Sequence, residues 1–492
     1  MLDAVIDHGT LSTSTPDLIQ EWQSDEEGQR CLAEAIVLAR VGALLHDMCH
    51  ISYGHSIEDD LGLLTPHDKN DTRFDFLWNK LEESLKKSLG LSEDETVINS
   101  TFKDALRPLI LSKSKTNADN CQQYPFVADI VGNTICADLI DYLQRDHKFT
   151  GLPARLGHRF IEGFYITRSD SAFRPKRMVV QISRDGRRRN DVVSEMLKYL
   201  RYRYELSERV IVHHAKVAAD VMVGKLLELW LVHVKKSESN GDPLELLEQQ
   251  MVRFGDDGLL EHIRETVSVS ASNDGSHNAL VELCDALLGR NLYKLIGHCR
   301  QISIASEIFK QYRSPESRRS LESEVATYVG LDHEWHVLVW VPSPEMKLKA
   351  ADVLVDDSGR ISKLSKLENV GLGSGRQIQE DHKSLWTFRV YVHPHVRKDK
   401  NLCARILAYI ADKLPGVEWS EYREQPEIAR LVADAAAEEL GLVVGQEKKL
   451  AAQVRQIAAH GGGVDTFQKQ VQRVVDAYDS AAGGHQRNLN LA

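Results

Sequence analysis

The stretch LLHDMCHISYGHSIEDD, residues 44–60, places three histidines and four acidic residues in seventeen positions directly after an apolar, small-residue run. Imidazole and carboxylate are the ligand types that suit a divalent transition metal. Residues four apart share a helical face, so His46 and His50 are expected to project together with Asp47 beside His46. A second group lies in ICADLIDYLQRDHKFTG, where Asp138, Asp141, Tyr142, Arg145 and Asp146 fall along one face of a helix. Ile135, Leu139, Ile140 and Leu143 cover the other faces. The polar stripe reads either as a solvated face with an internal Arg145 salt bridge or as the wall of a cleft. In a cleft, an unpaired carboxylate is costly unless it binds a cation or a base.

The elements that must carry these residues are mostly helices. From 21 to 47 an acidic start passes into an Ala- and Leu-rich run, as expected of a helix whose later turns are buried. FDFLWNKLEESLKKSL at 74–89 alternates apolar and charged positions at three-and-four spacing. The segment 129–146 is predicted as one further helix. Between 160 and 183 the period changes: FIEGFYITRSD, a turn at Arg174 and Pro175, then MVVQIS predict a β-hairpin. Helices are predicted again over 191–203, 217–230 and 278–289, with a loop at 268–277. HVLVWVP, ADVLVDDSGRIS and LWTFRVYVHP are β-branched and aromatic runs, so 331–397 is expected to form a small sheet-containing lobe. From about 425 the chain is Ala-, Glu- and Gln-rich, predicted as helix broken at 461–463. The fold class is mainly α.

At 492 residues the chain exceeds the size at which one core keeps growing, so more than one lobe is expected. A net charge of -11 gives no global positive field for nucleic acid or an anionic membrane, so neither is an expected partner. Any polyanionic ligand must be met by local basic groups or a metal. Seven scattered cysteines without a CxxC pair argue for buried thiols rather than a disulfide framework. The N-terminus lacks a basic region followed by an apolar one, and no apolar run reaches about 18 residues. A soluble, cytoplasmic protein is expected.

HDxxHxxxxH at 46–55, DLIDYLQRD at 138–146, RYELSERVIVH at 203–213 and RNLYK at 290–294 together resemble the HD-superfamily phosphohydrolases. The likeness is to the dNTP triphosphohydrolase branch, which includes bacterial dGTPase-like enzymes and the vertebrate SAM-and-HD-domain enzyme. It covers roughly residues 1–300, with a weaker echo to 400. The resemblance implies a metal site made of His46, Asp47, Asp138 and, as first motif histidine, His8. It implies catalytic roles for His50 and His55, with His55 moving a proton at the scissile phosphate, assisted by a carboxylate such as Asp141. His67 and Asp68 would border the substrate phosphates, Tyr142 and Asp146 the deoxyribose, Arg203 the phosphates, and His213 would stand nearby. Leu139 takes a position often held by a phosphate-contacting lysine, implying a weaker triphosphate grip or a different phosphate group. Arg159, Arg189, Arg290 and Lys294 match places where members bind an activating nucleotide between subunits.

The expected layout is therefore an HD-type catalytic helical core (1–158), an inserted β-hairpin (159–190), a helical part completing the active site (191–329), a small α+β lobe (330–415) and a helical tail (416–492). The expected cofactor is a divalent ion, with Mn, Fe, Zn and Mg left open. The expected partners are a nucleotide substrate and a second copy of the chain in a nucleotide-activated homo-oligomer. The expected activity is hydrolysis of deoxynucleoside triphosphates to deoxynucleoside and inorganic triphosphate. The alternatives are another HD phosphohydrolase, acting as phosphodiesterase or nucleotidase, and a catalytically silent nucleotide-binding scaffold.

Overall fold

The computed structural model describes residues 1, 3, 17–92, 100–111, 123–157, 159–171, 175–237, 242–269, 275–346, 353–367, 373–414, 416–417 and 419–420. His8, Arg174, most of the 268–277 loop and the tail beyond Ser420 lie outside the described residues. The chain is mainly helical with small sheets. It divides into two compact units, each discontinuous in sequence: Met1–Ile51, Thr65–Ile211 and Lys347–His382 form one, while Ser52–Leu64, Val212–Met346 and Lys383–Ala492 form the other. No helix among the described residues is long and apolar enough to cross a membrane.

In the first unit, the Glu26–Leu45 helix begins at Asp25, whose side chain accepts from the Gly28 amide at 2.6 Å, with Glu26 and Glu27 in the favourable first turn. Its buried residues Ala35, Leu38, Ala39 and Gly42 recur at helical spacing. A Cβ at Gly42 would meet Leu109 Cδ1 at 2.8 Å, so the glycine is what lets this helix close on the Ser100–Ile110 helix. The Pro125–Gly132 helix is buried from Phe126 to Val131 and apolar apart from Asp129. It does not run on through 146 as the sequence predicts. Asn133 breaks it by accepting the Thr134 amide on its side chain at 2.6 Å, and Cys136 caps a new helix, Ala137–Thr150. Side chains that bond neighbouring backbone compete with helix continuation.

The strands are β1 Phe164–Ile166, β2 Met178–Gln181, β3 Ser183–Arg184, β4 Arg187–Arg188, β5 Lys294–Cys299, β6 Val337–Trp340, β7 Leu354–Asp357, β8 Arg360–Lys363 and β9 Phe388–Val392. The antiparallel β1–β2 pair, with Tyr165 opposite Val179, is the hairpin expected from the 160–183 pattern. Strand β7 adds to β2 in parallel and β8 follows, giving the order β1-β2-β7-β8. The runs expected to form one lobe over 331–397 are thus shared between two sheets. Strands β7 and β8 extend the first unit's sheet, while β6 and β9 pair with β5 in the second unit, order β5-β9-β6. Local pattern gives strand character but not the distant partner that each strand finds.

The second unit's core packs that three-stranded sheet with the Ile302–Tyr312, Pro315–Val329 and Lys400–Lys413 helices around Trp386, Phe388 and Trp419. The helices His214–Ser237, Pro243–Arg253, Asp256–Val269 and Gly275–Leu288 belong to the same unit.

Candidate metal centre

His46 is the residue at which the Glu26–Leu45 helix ends, and residues 46–49 form a turn. His46 and His50 therefore do not share a helical face as the sequence predicts. The turn instead wraps them around Asp47: His46 Nε2 lies 3.2 Å from Asp47 Oδ2, and His50 Nε2 lies 3.5 Å from Asp47 Oδ1. Asp138, in the first turn of the Ala137–Thr150 helix, brings Oδ1 to 3.4 Å from the same His46 Nε2. Nδ1 of His46 is held against the Ala43 carbonyl at 2.8 Å, which leaves Nε2 as the nitrogen presented to the carboxylates. That Nε2 is buried and forms no hydrogen bond: both carboxylates stand close to it without donor alignment. A tetrahedral zinc-type ion with bonds of about 2.0–2.1 Å spaces its ligand atoms about 3.4 Å apart, which these contacts match. A backbone carbonyl on the other ring nitrogen is also the usual support of a metal-bound histidine. His46, Asp47 and Asp138 together could hold a metal ion.

The local field favours a cation. The Asp138 carboxylate, followed by that of Asp47, pushes the His46 imidazole up to about 10. Burial works against the Asp47 charge, but His46 and His50 outweigh it and hold the Asp47 carboxyl well below the usual carboxylate range. A proton on His46 or a metal beside it satisfies the same two carboxylates.

Next to this centre the His50 and His67 rings stack, with centroids 3.7 Å apart. A residue that the sequence reading missed holds their backbone: Arg73, buried in the Asp71–Leu89 helix, donates to the Cys49 carbonyl at 3.1 Å and the Thr65 carbonyl at 3.3 Å. Its signal is an arginine next to Phe74, which with Trp78 four residues on forms the buried face of that helix. Asp68 follows His67 in the same short turn.

The polar stripe of the Ala137–Thr150 helix splits into two parts. Asp138 and Tyr142 are half-buried, and burial pushes the Tyr142 phenol up to about 12 although the Arg203 charge opposes it. Asp141, by contrast, is exposed and accepts from Arg145 Nη1 at 2.6 Å, and Arg145 Nε lies 3.6 Å from Asp146. The expected Arg145 salt bridge forms at Asp141. Leu139 is buried in the hydrophobic core of this unit, so its position is not a place from which a charge has been lost. Arg203, near the end of the Asn190–Leu206 helix, has an unforeseen neighbour in His382: burial and then the Arg203 charge push this imidazole down to about 4.

His55 and His213 belong to the second unit. His55 Nδ1 contacts Asp59 Oδ2 at 2.7 Å at the start of a helical turn, Ser56–Asp60. His213 is exposed and stacks on His214. Of the basic residues, Arg159 and Arg189 converge on Asp191, at 3.6 and 2.7 Å. Arg290 and Lys294 are exposed beyond the Gly275–Leu288 helix of the second unit.

No family model matches the chain. Over 211 residues, 42% of its length, it is 28% identical to the uncharacterized protein YwfO of Bacillus subtilis (strain 168). The matched region spans 38% of that protein.

Proposed function

We propose that this protein is a metal-dependent phosphohydrolase of HD type that converts deoxynucleoside triphosphates to deoxynucleoside and inorganic triphosphate. The observation that carries the reading is the His46 Nε2 atom, buried without a hydrogen bond between the carboxylates of Asp47 and Asp138 while Nδ1 is anchored on Ala43. His46, Asp47 and Asp138 would hold the ion, and the sequence motif adds His8. A bound divalent ion supplies polarisation of a phosphoryl oxygen and a bound water of lowered pKa.

The chain's own residues do the rest. His50, whose ring centroid lies 3.7 Å from that of His67, orients a phosphate oxygen and serves the proton transfer. Arg203 binds the polyphosphate, where a guanidinium matches the paired oxygens. Tyr142 and Asp146 hold the sugar. Arg159, Arg189, Arg290 and Lys294 bind an activating nucleotide in a homo-oligomer.

Incubation of the purified chain with each dNTP and Mn²⁺ or Mg²⁺, followed by separation of products, tests the reading. Deoxynucleoside and inorganic triphosphate are expected, and neither should form with His46→Ala. Turnover that survives His46→Ala or Asp47→Ala sinks the metal mechanism, and release of monophosphate or pyrophosphate sinks the reaction type.

A further inference from the structure

The second unit contains another convergence of potential metal-binding groups, built from segments outside the HD-like motifs. His336 ends the short turn Glu334–His336 that leads into β6. His393 directly follows β9, and the two strands pair with Val337 opposite Val392. The ladder continues one step further, because the His393 amide donates to the His336 carbonyl at 2.9 Å. The end of the sheet therefore sets two imidazoles side by side, and the His-Pro-His sequence returns a third, His395. The ring centroids are 4.9 Å apart for His336 and His393, 4.5 Å for His336 and His395, and 4.4 Å for His393 and His395. One nitrogen from each ring lies within 4.8 Å of one from each of the others.

A carboxylate stands beside the set. Glu282, from the Gly275–Leu288 helix, places Oε1 3.0 Å from His393 Nε2 and 3.7 Å from His336 Nε2. These distances bracket the spacing of about 3.4 Å between neighbouring ligand atoms of a tetrahedral zinc site. His336 is buried, and its Nδ1 has no hydrogen-bond partner. A buried ring nitrogen left unmatched is costly, whereas a metal on one ring nitrogen fixes the tautomer and orientation of the whole ring. The His393 ring meets Tyr293 edge-on at 5.3 Å.

We propose that His336, His393 and His395 bind one zinc-class divalent ion at the end of the β5-β9-β6 sheet, beside the Glu282 carboxylate of the Gly275–Leu288 helix. Imidazole-rich donor sets select borderline transition metals over Mg²⁺ and Ca²⁺.

The test uses the full chain carrying His46→Ala and Asp47→Ala, so that zinc taken up does not report on the first centre. Stripped with a chelator and titrated with ZnCl₂, this protein should bind one zinc ion per chain and gain melting temperature. Adding His395→Gln, an exposed position whose replacement leaves the fold intact by circular dichroism, should weaken binding by at least about tenfold, as should Glu282→Gln. Cobalt(II) should give the ligand-field bands of a four-coordinate site, abolished by His393→Ala. No zinc uptake by the background protein, or equal uptake after His395→Gln, overturns the proposal. If the background protein does not fold, the wild type is compared with His395→Gln, and loss of one equivalent is the expected result. Hydrolase activity is not read in any arm, so failure here leaves the proposed activity standing, and the reverse.

Discussion

His46 Nε2 lies 3.4 Å from Asp138 Oδ1, joining the last turn of one helix to the first turn of another. Asp138 is the largest contributor to the raised proton affinity of His46, and both face the position that a metal would take. Asp138→Ala is expected to abolish stoichiometric metal at this centre. It should lower dNTP hydrolysis by at least about 100-fold, the upper range for losing a mere support of a ligand. Metal analysis and steady-state kinetics check it, with far-UV circular dichroism unchanged.

The same contact predicts a pH dependence of stability in the metal-free protein. The His46 value rises from 6.5 to about 10 on folding, so the stabilisation it provides is complete below pH 6.5 and is lost as pH climbs through about 10. Asp47 is held below its ordinary 3.8, so its share is present above that value and lost in acid. Melting temperatures recorded from pH 5 to 10 should decline on the alkaline side. Added Mn²⁺ should flatten that decline, because metal binding and protonation compete for His46.

Arg73→Ala should loosen the turn that carries His50 and the one that carries His67, since it removes the donor shared by Cys49 and Thr65. The buried Cys49 carbonyl and the part-buried Thr65 carbonyl each lose a charged donor, a cost of about 2–4 kcal/mol in total. A lowered urea midpoint, with kcat falling more than KM rises, is the expected signature of misplaced histidines.

Arg203→Ala should raise KM for the triphosphate by about 10–150-fold, the equivalent of one lost charge-assisted hydrogen bond. A deoxynucleoside competitor should keep its inhibition constant, because it lacks the phosphates.

Asp129 and Arg177 form a buried bidentate pair at 2.7 Å through both Nε and Nη2, and Asp129 also accepts from the Met178 amide at 3.1 Å. Arg177→Ala strands a carboxylate whose burial already favours its protonated form. The expected loss is about 3–5 kcal/mol in chemical denaturation. Asp129→Asn combined with Arg177→Met should recover part of it.

The sequence by itself determined the helices and the ligand types. The Glu26–Leu45 helix was legible because Ala35, Leu38, Ala39 and Gly42 repeat on one face, and the β1–β2 hairpin because the period changes at 160. His46 and Asp47 stood out as imidazole beside carboxylate directly after an apolar run, and Asp138 through the likeness of DLIDYLQRD to the HD-superfamily motif. The tertiary structure decided everything that depends on partners distant in the chain. It turned His46 and His50 around Asp47 instead of along a helix, and it brought Asp138 to His46. It also split the 331–397 strands between two sheets and gathered Glu282, His336 and the His-Pro-His turn at one sheet end. Periodicity reports which face of an element is apolar. Which distant element that face meets is set by packing, and no local window of sequence contains it.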